Sequence, residues 1–142
     1  MKKIILLTSI LILSRLTVTA QTEAETDSNT VFALVDKMPT FPGGDVKLGE
    51  FLSNNFQFTK DIKLERCFYV VIIGRNGEIV NINKLKGNPL NEEQLTSVLK
   101  KTSGMWSPPS HNGHKVIVKR PLTIDIYQNF ITVKTLEIQK PN

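Results

Sequence analysis

Hydrophobic and polar positions divide the chain into short segments of different period. The longest apolar run beyond the first twenty residues is 67–73 (CFYVVII), rich in β-branched and aromatic side chains. A Gly74-Arg75-Asn76-Gly77 turn follows, and then a second strand-like segment over 79–85. Asn-Gly accepts the positive φ values of a type I′ turn, so the pattern predicts a buried antiparallel hairpin. Before it, Leu48, Phe51, Leu52 and Asn55 fall at i, i+3, i+4 and i+7, one helix face, with Asp45 placed to cap the helix and Gly49 weakening it. After it, Asn91 to Gln94 reads as a capping box, and Leu95, Val98, Leu99 and Thr102 make the inward face of a second helix that Gly104 stops. Val116, Val118, Leu122, Ile124 and Ile126 then alternate along a long strand, with Arg120 on the same parity. Pro121 has no amide to donate, which places part of that strand at a sheet edge. Residues 31–35 predict a small strand, and the mixed pattern of 130–138 a further short one. The expected fold is α+β: a three-stranded antiparallel sheet, four-stranded if 130–138 joins it, with two helices packed against it.

The connection Asp36-Lys37-Met38-Pro39-Thr40-Phe41-Pro42-Gly43-Gly44 can continue neither helix nor central strand, and Met38 and Phe41 can anchor it. Residues 1–20 have a basic start, an apolar run and a Val18-Thr19-Ala20 end, the pattern of a secretory signal peptide cleaved after Ala20. An uncleaved inner-membrane anchor is the alternative, but a span needs about 20 apolar residues and Arg15 interrupts this one. Residues 21–30 (QTEAETDSNT) are polar and acidic without periodicity, as in a disordered tail. One domain over 31–127 and a C-terminal extension over 128–142 complete the expected layout. The formal charge of the whole chain is +5. With Lys2, Lys3 and Arg15 set aside, fifteen basic residues face thirteen acidic ones. That balance and the lack of a basic patch with interleaved aromatics argue against a nucleic-acid partner.

Candidate chemistry is sparse. Cys67 is the only cysteine, so no intramolecular disulfide can form, and its apolar strand suits a buried hydrophobe better than a nucleophile. His111 and His114 straddle an Asn-Gly turn without the third ligand that a metal site needs. Glu92 and Glu93 suit the first turn of a helix dipole. No catalytic triad, phosphate-cradling glycine loop or paired acid motif stands out. The reading is non-enzymatic, with no catalytic residues, no metal and no cofactor; an exported enzyme using His111 or His114 is the rival.

The motifs resemble a family. Val35-Asp36-Lys37-Met38-Pro39-Thr40-Phe41-Pro42-Gly43-Gly44 is similar to the VxxMPxFPGG opening of Bacteroidetes-type TonB C-terminal domains. Gly77-Glu78-Ile79-Val80, Asn88-Pro89-Leu90-Asn91-Glu92-Glu93, Trp106-Ser107-Pro108, Asn112-Gly113-His114-Lys115-Val116 and Pro121-Leu122 follow in the family's order, so the resemblance runs over residues 31–126. It departs at Phe58-Thr59, where the family often has Tyr-Pro, and at Glu65, where it usually has glycine. The resemblance implies a periplasmic domain that binds a short segment of an outer-membrane transporter, with Met38, Pro39, Phe41, Pro42, Gly43, Gly44, Trp106 and Pro108 as structural motif. It places the partner on an edge strand bearing Val116, Val118, Arg120, Leu122 and Ile124, by strand addition. Coverage of that edge by 130–138 is the alternative, and a free edge would also serve a homodimer. A membrane-anchored short energy transducer is the second functional reading, although the ten residues of 21–30 span at most about 36 Å at ~3.6 Å each.

Overall fold

The structure is a computed structural model and describes residues 29–60 and 63–138; the expected signal peptide, nearly all of the acidic tail and the last four residues lie outside these. The elements run β1 (Val31–Phe32), α1 (Gly44–Asn55), β2 (Glu65–Ile73), β3 (Ile79–Lys86), α2 (Glu92–Lys100), β4 (Ser110–His111), β5 (His114–Lys115), β6 (Ile117–Ile126) and β7 (Ile131–Thr135). This is an α+β fold with two helices, but the sheet is larger than expected and partly parallel. Five strands form it, in the order β1-β6-β2-β3, with β7 also paired to β6. β1 runs parallel to β6, and the other pairs are antiparallel.

Period two along β2 and β6 decides which face is buried. Cys67, Tyr69, Val71 and Ile73 alternate inward, as do Val118, Leu122, Ile124 and Ile126, all at most 1 % exposed. The helices cover this face with Leu48 and Leu52 from α1 and Leu95, Val98 and Leu99 from α2, all buried in one core. The inward set expected for α2 is buried, but the helix ends at Lys100 and Thr102 lies in the turn that follows it. In α1, Asn55 is exposed and its amide donates to Phe51 O instead. The Tyr69 hydroxyl is buried beside Thr96, and burial raises its pKa.

Three local expectations change. Gly43, at φ +78°, is the cap position of α1 and no side chain caps the helix; the Asp45 carboxylate serves elsewhere. Asn91 sits at the start of α2 but makes no side-chain cap bond. The β2–β3 turn is not type I′, because Asn76 keeps a negative φ and only Gly77 is left-handed, at +84°. Gly77 N–H donates to Gly74 O and Gly74 N–H to Glu78 O, a longer loop with one left-handed position. The type I′ signature appears instead at Asn112 (φ 49°) and Gly113 (φ 78°), between β4 and β5.

The motif residues converge around Trp106. The Phe41 ring stands edge-on to the indole at 5.8 Å, and Trp106 Nε1 donates to Thr102 Oγ1 at 3.0 Å. Ser107 N–H donates to Thr40 O, and Thr40 N–H to Ser107 Oγ, which ties the Pro-Gly connection to the Trp-Ser-Pro segment. Pro39 and Pro109 are buried, whereas Pro42 and Pro108 are exposed. Met38 packs against the core, and Gly44 N–H returns to Phe41 O at 2.8 Å.

Candidate functional site

The edge expected to receive a partner is occupied. Leu122 to Ile126 pair with β2 on one side of β6 and with β7 on the other, in five consecutive β7 pairs from Leu122↔Thr135 to Ile126↔Ile131. Val118 lies between Ile73 and Phe32. Val118, Leu122 and Ile124 are fully buried, Val116 is nearly so, and Arg120 is half-buried. Among the described residues, only the short stretch between β1 and β7 has no strand on the outer side of β6. Pro121 sits at its end: Leu136 N–H donates to the Pro121 carbonyl, and the ring nitrogen has no proton to donate in return. Arg120 lies beside it, its Nε buried without a hydrogen-bond partner. Burial lowers its pKa, while the carboxylates of Asp45 and Glu137 favour its charge.

Helix α1 closes the outer edge of β7 in turn. Asp45, Gly49 and Ser53 recur every four residues and so share one helix face. Asp45 Oδ2 accepts Thr135 N–H at 2.7 Å, and its Oδ1 accepts the Thr135 hydroxyl. Ser53 Oγ accepts Ile131 N–H at 2.8 Å. Between them Gly49 comes so close that a Cβ would stand 2.9 Å from Ile131 O. Asp45→Ala is therefore expected to strand a partly buried amide and to cost about 1.5–3 kcal/mol, the range for a hydrogen bond to a charged group. Urea denaturation and amide exchange check this: the midpoint should fall and the β7 amides should exchange faster, whereas an unchanged midpoint would contradict the latch. A groove of about 560 Å³ runs along this contact, flanked by Val46 and Phe130.

The opposite margin differs. β3 pairs with β2 only, and no strand lies on its outer side among the described residues. Its ladder shifts register between Phe68 and Tyr69 and between Ile72 and Ile73, each time leaving one extra residue on β3, Leu85 and Val80. Those two are its large exposed apolar side chains, 67 % and 56 %. Bulges and lysines are common guards of a margin strand, and Lys84 and Lys86 are both present. Between the bulges the pairing from Asn81 to Lys84 is regular. Ile82 N–H donates to Asn81 Oδ1, a side-chain acceptor that an incoming carbonyl could replace.

The remaining candidates have structural accounts. His111 and His114 are cross-strand partners, and His111 Nδ1 lies 3.4 Å from Asp36 Oδ2 with its ring against Phe32. Among the described residues no three metal-type ligands converge, and no helix is long and apolar enough to cross a membrane. Glu92 pairs with Lys84. Cys67 is 0 % exposed, and burial, with the charge of Glu65 adding to it, pushes the thiol up to about 11. An unfolded thiol titrates near 8.5. Between these values the unfolded chain holds fewer protons than the folded one, so stability present at lower pH is lost as pH rises from about 9 to about 11. The decline should be shallower in Cys67→Ala, and dithionitrobenzoate at pH 8 should label the wild type only once urea unfolds it. Rapid labelling of the folded protein would contradict a buried thiol.

No family model, curated protein or solved structure matches the chain.

Proposed function

We propose that the chain is a non-enzymatic protein-interaction domain of the cell envelope. On this reading it binds an extended segment of an outer-membrane transporter by strand addition, in a role linked to TonB-dependent transport. The supporting observation is the position of β3, an eight-residue strand at the sheet margin with Val80 and Leu85 exposed on it. An extended peptide laid against residues 81–84 would gain main-chain hydrogen bonds, with the two apolar side chains at either end setting register. The sequence motifs carry the link to transport, and the pairing of β6 on both sides supports β3 over 116–124 as the receiving edge.

A second reading keeps β6 as the receiving strand and has β7 leave it. The unbroken register of the β6–β7 ladder favours it, since β3 is interrupted twice. A lock separates the two. Thr123 and Lys134 are directly opposed, so Thr123→Cys with Lys134→Cys, oxidised, holds β7 in place while Cys67 stays buried. Synthetic peptides from the periplasm-facing N-terminal segments of outer-membrane transporters are titrated calorimetrically into both proteins. Equal affinity within about twofold is expected for β3. Loss of binding in the locked form alone would move the site to β6, and no binding to either protein would reject strand addition.

A further inference from the structure

Both helices pack on the face of the sheet that carries Cys67, Tyr69, Val71 and Ile73, and no helix among the described residues packs on the other. Alternation sends Arg66, Phe68, Val70 and Ile72 of β2 to that outer face, together with Lys119, Pro121, Thr123 and Asp125 of β6. The register extends each row across the sheet. One row runs Lys134, Thr123, Phe68, Lys86, and its neighbour places Pro121 beside Val70, with Leu136 bonded to Pro121. Phe68 and Val70 are half-buried and Ile72 is 8 % exposed, while the three lysines around them are exposed. The outer face is therefore a shallow apolar strip with a basic rim.

Charge and width together suit one kind of occupant. Arg66 is held by Asp125 in a two-point pair, with Nε to Oδ1 at 2.7 Å and Nη2 to Oδ2 at 2.8 Å. Lys86, Lys119 and Lys134 have no acidic partner among the described residues, so the face keeps three uncompensated positive charges. Lys134 and Lys86 stand three strand spacings apart, about 14 Å at ~4.8 Å each. An α-helix with its side chains is about 10–12 Å across and fits between them. A layer of helix is also the ordinary cover for a bare sheet face. We propose that this face docks an amphipathic helix of a partner protein. Its apolar stripe would rest on Phe68, Val70 and Pro121, and its flanking carboxylates would meet Lys86, Lys119 and Lys134. A second copy of the chain is a poor occupant, because two such basic faces repel. The helix site is separate from strand addition at β3, since a helix has no free main-chain groups to add to a strand.

The test uses a fifteen-residue synthetic helix with a leucine stripe flanked by glutamates, and the same peptide with lysines in place of the glutamates. Fluorescence anisotropy gives affinity and amide chemical shifts give the location. The acidic helix should bind at least tenfold tighter than the basic one, shifting Phe68, Val70 and Thr123. The exposed triple variant Lys86→Glu, Lys119→Glu, Lys134→Glu should reverse that preference while keeping the wild-type circular dichroism. Equal binding of both peptides, no binding of the acidic one, or shifts confined to β3 would overturn the proposal. So would binding of phosphatidylglycerol vesicles through the three lysines without binding of the helix. Transporter peptides should bind the double variant Lys119→Glu, Lys134→Glu, which leaves β3 untouched, as they bind wild type, so this proposal and strand addition can fail separately.

Discussion

Gly77→Ala is expected to destabilise the domain by about 4 kcal/mol. Two costs combine. Gly77 is left-handed, and an L-residue held there loses about 1–2 kcal/mol. The added Cβ would also stand 2.0 Å from Trp106 O and 2.9 Å from Trp106 C, main-chain atoms of a buried residue that cannot swing aside. Overpacking of this kind typically costs about 1–3 kcal/mol. Gly77 O in addition accepts Gly104 N–H at 2.9 Å, so displacement of the turn would disturb the end of the α2 connection. Gly113→Ala is the comparison, because Gly113 is equally left-handed at +78° but has nothing within 4 Å of its Cβ position. It should lose only the conformational part, about 1 kcal/mol. Urea denaturation of the two variants separates strain from contact. Equal losses would mean that the hairpin turn does not press on Trp106.

Trp106→Ala is the second. The indole is 3 % exposed, packs on Phe41 and donates to Thr102 Oγ1, which in turn donates to Leu99 O at 2.7 Å. Truncation removes a large buried side chain from the junction of the Pro-Gly connection, α2 and the β2–β3 turn. A loss of about 3–5 kcal/mol follows, a large share of the roughly 5–15 kcal/mol that holds an ordinary domain together. Trp106→Phe should lose less, about 1–2 kcal/mol, since it keeps most of the apolar volume and gives up one hydrogen bond. The same urea titration measures both. A Trp106→Ala midpoint close to wild type would show that the motif residues do not form one packed unit.

The hairpin, both helices and the long strand were legible because each is governed by a local period. The seven residues 67–73 could hardly be other than a buried strand, and 95, 98 and 99 could hardly face water in a helix. The β7 edge was harder to read for a physical reason. Only Ile131 of that strand is buried, and its outward groups are met by Asp45 and Ser53 rather than by apolar side chains. Its own alternation is therefore weak. The complementary signal lay in α1, where Asp45, Gly49 and Ser53 recur every four residues. Each has an ordinary local reading, as cap, weak point and solvated hydroxyl, and only a strand lying against that face gives them a common purpose. Two residues of β1 carry no period at all, so its parallel pairing could not be anticipated.

Pro121 was informative in a narrower way than expected. Among the described residues it marks the short stretch of β6 between the β1 and β7 pairings, not a free edge along the whole strand. The two Asn-Gly pairs teach a similar lesson. Asn76-Gly77 sits in a loop with a residue to spare, closed by Gly74 and Glu78, so only one position needs a positive φ. Asn112-Gly113 joins strands that pair immediately on either side, and both positions need it. The dipeptide announces a turn; the distance between the paired residues decides which turn.

Amide hydrogen exchange of the domain, with and without a saturating transporter peptide, tests the central claim most directly. Strand addition at the open margin predicts slower exchange confined to Ile79–Lys86, Ile82 foremost, with the β6 and β7 amides unchanged. Slower exchange over Ile117–Ile126 with faster exchange in Ile131–Thr135 would contradict it, because the partner would then have taken the place of β7.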